Sequence, residues 1–225
     1  MKLSVIIPVY NEKDTVKKIV ERVQAVDLVK EIILVDDYST DGTREILPNF
    51  VSENIKVVLQ EKNQGKGAAI REGVQHVSGD YVIIQDADLE YDPQDYLKLI
   101  IPVISGKAQI VYGSRFKGEH KFSTLSHLLG NKILTWLTNF LYQAILTDME
   151  TCYKLIPAKL LKEMPLRANR FDFEPEVTAK ILKRGFKILE LPISYSGREF
   201  HEGKKISWKD GFAAIWALLK YRFYD

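Results

Sequence analysis

Short apolar runs rich in β-branched residues alternate with helical periods through the first half of this chain. Four of these runs are predicted strands: LSVIIPVY (3–10), EIILVDD (31–37), IKVVLQ (55–60) and DYVIIQDAD (80–88). Between them, apolar residues at positions 16, 19, 20 and 23 repeat at the spacing of one helix face, and residues 65–77 predict a helix entered through glycines. Strands joined through helices by short links predict an α/β fold with a doubly wound, mostly parallel sheet.

The alternation of strands and helices stops after QIVYGSR (109–115). The rest of the chain predicts a long apolar helix, a shorter helix, a last strand and a closing helix: residues 122–146, 170–185, 186–195 and 207–223. No internal repeat or low-complexity linker interrupts it, and we expect one domain over residues 1–225.

Composition limits the function classes. A formal charge of +2, with basic and acidic residues mixed, predicts no nucleic-acid partner. The one cysteine, Cys152, excludes an intrachain disulfide and fits a reducing compartment. The first residues, MKLSVIIPVYNE, predict a first strand rather than a signal peptide, and no apolar run is long enough for a spanning helix.

Polar residues follow three of the predicted strands. Residues 10–12 follow the first strand, Asp36 and Asp37 the second, and residues 86–90 the fourth. Ligands of such sheets collect at the carboxyl ends of the strands, so these groups are candidate site residues. The alternative for Asn11 and Asp14 is that they cap the following helix.

The acidic segment after the fourth strand carries Asp86, Asp88 and Glu90 at every second position, followed by Asp92. If the chain stays extended through residue 90, the first three carboxylates face one side and repel each other. A hard divalent cation such as Mg²⁺ or Mn²⁺ relieves that repulsion and holds substrate phosphates as well. The alternative is a solvated acidic loop.

Four motifs occur in a characteristic order: VIIPVYNE, VDDYSTDGT, NQGKGAAIREG and QDADLEYDP. In this order they resemble the family-2 inverting glycosyltransferases. The resemblance implies a Rossmann-like fold of the GT-A type with a DxD metal motif. It also implies that residues 1–115 bind the nucleotide sugar and residues 116–225 bind the acceptor, with amphipathic helices near the C-terminus at a membrane interface.

The same resemblance implies roles for individual residues. Nucleotide contacts are implied for Pro8, Tyr10, Glu12, Asp37 and Lys66. Asp86 matches the first acid of the DxD motif, near the ribose, and Asp88 matches the metal-binding acid. Many polyprenyl-phosphate members carry Gln where this chain has Glu90, which is a competent second oxygen ligand for the metal.

The second half resembles the dolichol-phosphate mannosyltransferase and polyprenyl-phosphate glucosyltransferase branch, through VYGSRF and YSGREFHEGKKISWKDG. Arg115 and Arg198 match arginines that grip phosphates, and Lys205 matches a lysine more loosely. The implied catalytic set is Asp86, Asp88, Arg115 and Arg198. A lipid monophosphate is already ionised near neutral pH, so the attack needs no strong general base, and Asp86 is the nearest acid by position.

Three further features of the second half are less specific. Asp148 and Glu150, in TDMETCYKLI, are possible acceptor-side residues, or else part of a helix cap and a strand start. His201 is a possible phosphate contact or a surface residue. The aromatic residues of 122–146 and 207–223 lie among Lys and Arg, which suits a membrane surface, although such stripes also form cores.

The sequence thus predicts metal-dependent transfer of a hexose, with mannose expected, from GDP-mannose or UDP-glucose to polyprenyl or dolichyl phosphate. The expected location is peripheral, at the cytoplasmic face of the membrane, with a membrane-anchoring partner protein as an option. Two alternatives stay open: transfer to a carbohydrate acceptor, and a non-catalytic nucleotide-sugar-binding subunit of a membrane complex.

Overall fold

The computed structural model describes residues 1–118, 120–121, 125–197 and 208–224. The strands in these ranges are β1 (Leu3–Val9), β2 (Val29–Asp36), β3 (Ile55–Leu59), β4 (Tyr81–Ile84), β5 (Ile110–Ser114), β6 (His120–Lys121), β7 (Lys154–Pro157), β8 (Ile188–Pro192) and β9 (Tyr195–Ser196). The α-helices are α1 (Val16–Gln24), α2 (Thr43–Ile46), α3 (Lys66–His76), α4 (Tyr96–Ile104), α5 (Leu125–Tyr142), α6 (Ala158–Glu163), α7 (Phe173–Lys183) and α8 (Trp208–Phe223). Short 3-10 turns cover Leu47–Phe50 and Pro93–Asp95.

The main sheet has the strand order β3-β2-β1-β4-β7-β5-β8. Neighbours in the β3-β2-β1-β4 part are parallel, as are β5 and β8, whereas β7 runs antiparallel to both β4 and β5. The predicted doubly wound, mostly parallel sheet is therefore confirmed. The antiparallel strand β7 was not predicted, and its sequence of four residues does not indicate where it inserts in the sheet.

The prediction of a strand over residues 80–88 is wrong at its end, because β4 stops at Ile84. The buried Gln85 still bonds through its backbone N–H to the carbonyl of Ile6 (2.9 Å), and its side-chain oxygen accepts from the hydroxyls of Tyr96 and Tyr153. Beyond it the chain turns, with Leu89 at a φ of 64°. The acidic residues therefore lie on a turn, and the expected extended alternation through residue 90 is absent.

The core surrounds the strands that lead to the carboxyl edge of the sheet. The apolar residues of β1, β2 and β4 are buried almost completely, since parallel strands are covered by helices on both faces. A second apolar cluster joins α5 to α8 and consists of Leu134, Leu146, Met149, Ala214 and Leu218. This cluster attaches the last helix to the rest of the molecule.

The outward faces of α5 and α8 carry large apolar side chains. Among those exposed are Leu129, Ile133, Trp136, Phe140, Phe212, Trp216 and Phe223. The two helices thus bury one face in the core and present aromatic residues on another, as expected of amphipathic helices. Within the described ranges, no helix combines the length and the apolar character that crossing a bilayer requires.

Candidate active site at the carboxyl edge of the sheet

The loops that follow β1 and β2 are tied together at the carboxyl edge. The backbone N–H of Asn11 donates to the hydroxyl of Ser39 (2.9 Å), and the side-chain oxygen of Asn11 accepts from the N–H of Thr40 (2.8 Å). Asn11 has a φ of 53°, a left-handed conformation that asparagine tolerates well. It joins two loops and is not the cap of α1, whose N-cap position is Thr15.

Three of the residues expected to contact the nucleotide lie at the end of β1 or just after it. Pro8 and Tyr10 are partly buried there. The carboxylate of Glu12 accepts a hydrogen bond from the hydroxyl of Thr15 (2.6 Å), and its backbone N–H donates to Thr43 (2.9 Å). The structure therefore brings these residues to one edge, and their contacts to a nucleotide stay predictions.

Asp37 anchors the turn that leads into α3. Its two carboxylate oxygens accept from the backbone N–H groups of Gln64 and Gly65, both at 2.7 Å. Burial raises the pKa of Asp37, although the two hydrogen bonds oppose that shift. Asp37 thus positions the residue that follows Gly65, which is Lys66.

Lys66 is the cation at the centre of the site. Its Nζ lies 2.7 Å from Oδ1 of Asp86 and 2.9 Å from Oε1 of Glu174. Burial disfavours the charged amine, but the charges of Asp86 and Glu174 outweigh burial and hold the pKa of Lys66 well above its ordinary value. Two residues named from the sequence, Lys66 and Asp86, are therefore joined directly, and Glu174 completes the group.

Glu174 was missed in the sequence. It stands in the first turn of α7, beside Pro175 and Glu176 in FEPE, where acids commonly stabilise a helix start. Glu176 does play a structural part, because its carboxylate accepts from the N–H groups of Arg167 and Ala168. The sequence offers no signal that separates the two acids.

The start of α3 lies against the loop before α7. The N–H of Ala68 donates to the carbonyl of Asn169 (3.0 Å), and a Cβ placed on Gly67 would lie 2.6 Å from the carbonyl oxygen of Ala168. Gly65 has a φ of 98°, which only glycine adopts readily. The glycines of GKG therefore permit a close backbone approach, which brings Glu174 to Lys66.

The acidic turn after β4 is held by its own backbone and by β9. Oδ1 of Asp88 accepts from the N–H of Glu90 (3.1 Å), while Oε2 of Glu90 accepts from the hydroxyl of Tyr195 (2.6 Å). Asp92 differs from the others, because it accepts from the N–H of Gln94 and caps a 3-10 turn. Across the described ranges, no three His, Cys, Asp or Glu side chains converge as a metal-binding group.

Arg115 is buried at the end of β5. Its guanidinium pairs with Asp148 and lies 5.2 Å from the ring of Tyr195. Burial opposes the charge, but Asp148 keeps the pKa of Arg115 well above its ordinary value. Asp148 is thus a positioning residue for Arg115. Arg198, His201 and Lys205, the other expected phosphate contacts, lie outside the described residues.

A second group of charges lies at the start of β7 and in the segment before it. Nζ of the fully buried Lys154 donates to the carbonyls of Met149 (2.8 Å) and Thr151 and lies 4.7 Å from the ring of Tyr112. Burial, and then the charge of Glu174, raise the pKa of Glu150 to about 8. Burial lowers the pKa of Lys154 to about 8. The charge of Glu174 contributes to the pKa values of both Glu150 and Lys154.

Comparison with known proteins identifies the family. The sequence profile described as Glycosyl transferase family 2 matches residues 4–164. A low-salt glycan biosynthesis hexosyltransferase of Haloferax volcanii is 30% identical over 96% of this chain, but the match spans only 53% of that protein. A UDP-N-acetylglucosamine–dolichyl-phosphate N-acetylglucosaminyltransferase of Methanococcus voltae is 29% identical over 95% of this chain and 93% of that protein.

Solved structures give the fold. A glucosyl-3-phosphoglycerate synthase of Mycobacterium tuberculosis, in complex with Mn²⁺, UDP and phosphoglyceric acid, superposes with a TM-score of 0.76 at 21% identity. The superposition covers 100% of this chain and 79% of that chain. The fold is therefore of the GT-A type, as the resemblance implied.

Proposed function

This chain belongs to glycosyl transferase family 2, and from that premise we propose that it transfers a hexosyl group from a nucleotide sugar to a polyprenyl phosphate. The observation that supports it most is the ion-paired group Asp86–Lys66–Glu174, which stands beside the acidic turn at the carboxyl edge. Open α/β sheets bind their ligands at this edge. The dolichyl-phosphate acceptor in the name of the Methanococcus voltae relative supports the choice of acceptor.

Asp88 and Glu90 fit a Mg²⁺ or Mn²⁺ ion shared with a diphosphate. Both are oxygen donors on one turn, joined by the hydrogen bond from the N–H of Glu90. Such an ion commonly takes one or two carboxylates and completes its shell with water and substrate phosphates, so three protein ligands are unnecessary. When bound, the ion would offset negative charge on the departing nucleoside diphosphate.

The remaining steps of the proposed reaction depend on residues of the chain itself. Lys66 fixes Asp86, which faces the ribose side, while Pro8, Tyr10, Glu12 and Asp37 form or support the nucleotide side of the edge. The acceptor phosphate is ionised near neutral pH, since its second pKa is roughly 6, and it attacks the anomeric carbon directly. Positioning the two reactants supplies most of the catalysis, and no strong base is required.

Arg115, Arg198 and Lys205 are the proposed contacts of the acceptor phosphate. Two guanidinium nitrogens of Arg115 are directed at Asp148, so its contact with a phosphate uses Nη1. Arginine keeps its charge at every relevant pH and therefore suits a phosphate subsite.

The proposed place of the reaction is the cytoplasmic face of a membrane. The aromatic residues exposed on α5 and α8 support it, because such side chains favour the interface between lipid and water. A lipid acceptor also requires the site to approach a bilayer. A membrane partner protein would serve as a further anchor.

The donor sugar is decided by experiment. Mannose is the sugar expected from the sequence, whereas the two relatives are named for a hexose and for N-acetylglucosamine. The full chain is incubated with Mn²⁺ or Mg²⁺, a short polyprenyl phosphate and a panel of GDP-mannose, UDP-glucose and UDP-N-acetylglucosamine. Release of the nucleoside diphosphate and the mass of the lipid product identify donor and acceptor together.

Matched variants and substrates test the assignment. Asp88→Asn and Lys66→Met are each expected to lower the rate about a hundredfold or more, whereas Lys62→Met, in the exposed loop before α3, retains it. The corresponding polyprenol, which has no phosphate, should accept no sugar. Glycosylation of the polyprenol, or full turnover by Asp88→Asn in the presence of a chelator, would refute the proposal.

A further inference from the structure

The short strand β9 lies against the acidic turn that follows β4. The backbone N–H of Ser196 donates to the carbonyl of Glu90 (2.9 Å), and the hydroxyl of Tyr195 donates to Oε2 of the same residue (2.6 Å). Just before β9, the N–H of Ser194 donates to Oδ2 of Asp95 (2.7 Å). These hydrogen bonds hold β9 and the acidic turn together, although Glu90 and Tyr195 are 105 residues apart in the sequence.

The side chain of Tyr195 contacts one residue of each proposed subsite. Its hydroxyl bonds to Glu90, which we propose as a metal ligand, and its ring lies 5.2 Å from the guanidinium carbon of Arg115, which we propose as a contact of the acceptor phosphate. The metal with its diphosphate and the acceptor phosphate must be held at a fixed separation for the transfer. Tyr195 lies between the residues assigned to the two.

The ring of Tyr195 is itself fixed by the core. The residue is only 8% exposed, and the ring of Tyr91 packs against it almost edge-on at 5.2 Å between centroids. Tyr91 is held in turn, because its hydroxyl accepts from the backbone N–H of Cys152 (3.1 Å). Packing in a protein interior leaves a side chain few rotamers. The core therefore sets the position of the Tyr195 hydroxyl, and Glu90 adjusts to it.

The direction of the hydrogen bond follows from the chemistry of the two groups. Burial, and then the charge of Glu90, raise the pKa of Tyr195, so the phenol keeps its proton at neutral pH and donates it to the carboxylate. Groups that hydrogen-bond to a metal ligand from behind commonly fix the orientation of that ligand. Asp88 is oriented as well, since its Oδ1 accepts from the N–H of Glu90 (3.1 Å).

The ring of Tyr195 adds a further contact to Arg115. Nε and Nη2 of Arg115 both donate to Asp148 at 2.7 Å, which fixes the plane of the guanidinium. An arginine cation is attracted to the face of a tyrosine ring, and this attraction is stronger in a buried place. Asp148 and Tyr195 thus act on the same cation from two elements of the fold.

We propose that Tyr195 is a positioning residue, which orients Glu90 for the metal through its hydroxyl and Arg115 for the acceptor phosphate through its ring. The inference rests on the proposed function and deepens it, because it assigns a residue that links the two subsites. Tyr195 acts through other side chains and needs no contact with a substrate. The effects of its hydroxyl and of its ring are therefore separable.

The test separates the hydroxyl from the ring. Mn²⁺ is titrated into the full chain with UDP or GDP present, and the electron paramagnetic resonance signal of the free ion gives the Kd of the metal without turnover. A titration without protein corrects for Mn²⁺ bound to the nucleotide. Tyr195→Phe is expected to raise this Kd about tenfold, as the loss of a partner of a metal ligand commonly does.

The KM of a short polyprenyl phosphate, measured at saturating Mn²⁺, reports on the ring. Tyr195→Phe keeps the ring, so this KM is expected to stay within about twofold of the wild type. Tyr195→Leu removes the ring as well and is expected to raise the KM about fivefold, in the range of one contact between a cation and a ring. Should Tyr195→Leu fail to fold, Tyr195→Met, which fills more of the space, replaces it.

Two controls distinguish positioning from a general structural defect. In a Glu90→Ala background, Tyr195→Phe is expected to change the Kd of Mn²⁺ less than about twofold, because the hydroxyl acts through the carboxylate that is then absent. A structural defect would persist in that background. Tyr81→Phe, which removes a hydroxyl at the opposite end of β4, is expected to behave as the wild type.

The outcomes for this inference and for the proposed function differ. If the wild-type chain transfers no hexose to the polyprenyl phosphate from any donor of the panel, the proposed function fails, and the inference fails with it. If transfer occurs but Tyr195→Phe leaves the Kd of Mn²⁺ unchanged, or raises the KM of the acceptor as much as Tyr195→Leu does, the inference is overturned and the proposed function stands.

Discussion

Asp148 accepts three hydrogen bonds from Arg115. The backbone N–H and Nε of Arg115 reach Oδ2 at 2.9 Å and 2.7 Å, and Nη2 reaches Oδ1 at 2.7 Å. Both side chains are buried, and Asp148 is in turn held through its own N–H by Glu190 (2.9 Å). The pair therefore fixes the end of β5 against the segment before β7 and orients the arginine that we propose as a contact of the acceptor phosphate.

This pair predicts a large effect of Asp148→Asn, which keeps the shape of the side chain but removes its charge. A buried guanidinium without its counter-ion is costly, and we expect the free energy of unfolding to fall by about 3 kcal/mol. Urea denaturation followed by circular dichroism measures it. The exposed Asp14→Asn is the control and should lie within about 0.5 kcal/mol of the wild type. Equal midpoints for both variants would contradict the role of Asp148.

Two helical glycines predict opposite effects of the same substitution. At Gly67 a new Cβ would lie 2.6 Å from the carbonyl oxygen of Ala168, so Gly67→Ala forces the backbone apart and should cost about 1–3 kcal/mol. At Gly130, on the exposed side of α5, a Cβ would meet nothing within 4 Å, and Gly130→Ala should stabilise by about 0.5–1 kcal/mol. Thermal unfolding of both variants checks the signs. Stabilisation by Gly67→Ala would show that the close approach is absent.

Glu150 predicts a dependence of stability on pH. Its pKa in the folded chain is raised to about 8 from an ordinary value of 4.5, chiefly by burial and by Glu174, against the opposing charges of Lys154 and Arg115. Between these two values the folded state keeps a proton that the unfolded state has lost. The contribution of Glu150 to the free energy of unfolding therefore falls as the pH rises through this window, and that contribution levels off above about pH 8.

Glu150→Gln removes this group from the titration. The stability of the variant relative to the wild type should therefore increase from pH 5 to pH 8, as measured by urea denaturation at several pH values. Glu163→Gln is the matched control, and its difference from the wild type should stay constant over that range. A constant difference for Glu150→Gln as well would show that Glu150 is ionised at neutral pH.

The aromatic face of α5 predicts attachment to lipid. The rings of Trp136 and Phe140 stack at 5.8 Å between centroids, and the residues are 65% and 70% exposed. Replacing both by Ser should weaken binding to anionic vesicles about tenfold, because two large apolar side chains no longer enter the interface. The control replaces Ile101 and Ile104 of α4, which are similarly exposed, by Ser. Vesicle sedimentation that falls equally for both double variants would argue against a specific lipid-facing surface.

Local patterns predicted much of the first half of the fold. The apolar runs of β1, β2 and β3 fall within one or two residues of their observed ends, because continuous apolar segments bounded by polar turns leave little choice. The helix α4 went unpredicted, since Pro102 interrupts its apolar sequence. The predicted strand β4 was too long. After the observed strand ends, the side-chain oxygen of Gln85 accepts hydrogen bonds from two tyrosine hydroxyls, and the periodicity of the sequence cannot show such contacts.

Only part of the candidate site could be predicted from the sequence. Asp37 and Asp86 were identified because they stand at the ends of predicted strands, whereas Lys66 was identified through the family resemblance; the structure brings all three to the same edge. Glu174 was missed because its place depends on how the loop before α7 approaches the glycines around Lys66. This contact joins residues that are far apart in the sequence, so the local periodicity of the sequence does not indicate it.

The position of β7 between β4 and β5 has a consequence for the nascent chain. During synthesis β5 emerges well before β7, yet it meets β4 only through β7. Until the ribosome has released Lys154–Pro157, β4 presents an unpaired edge, and Glu174, which pairs with Lys66, emerges later still. A chain that ended at residue 115 would therefore be an aggregation-prone intermediate, and it would not bind nucleotides as an independent unit.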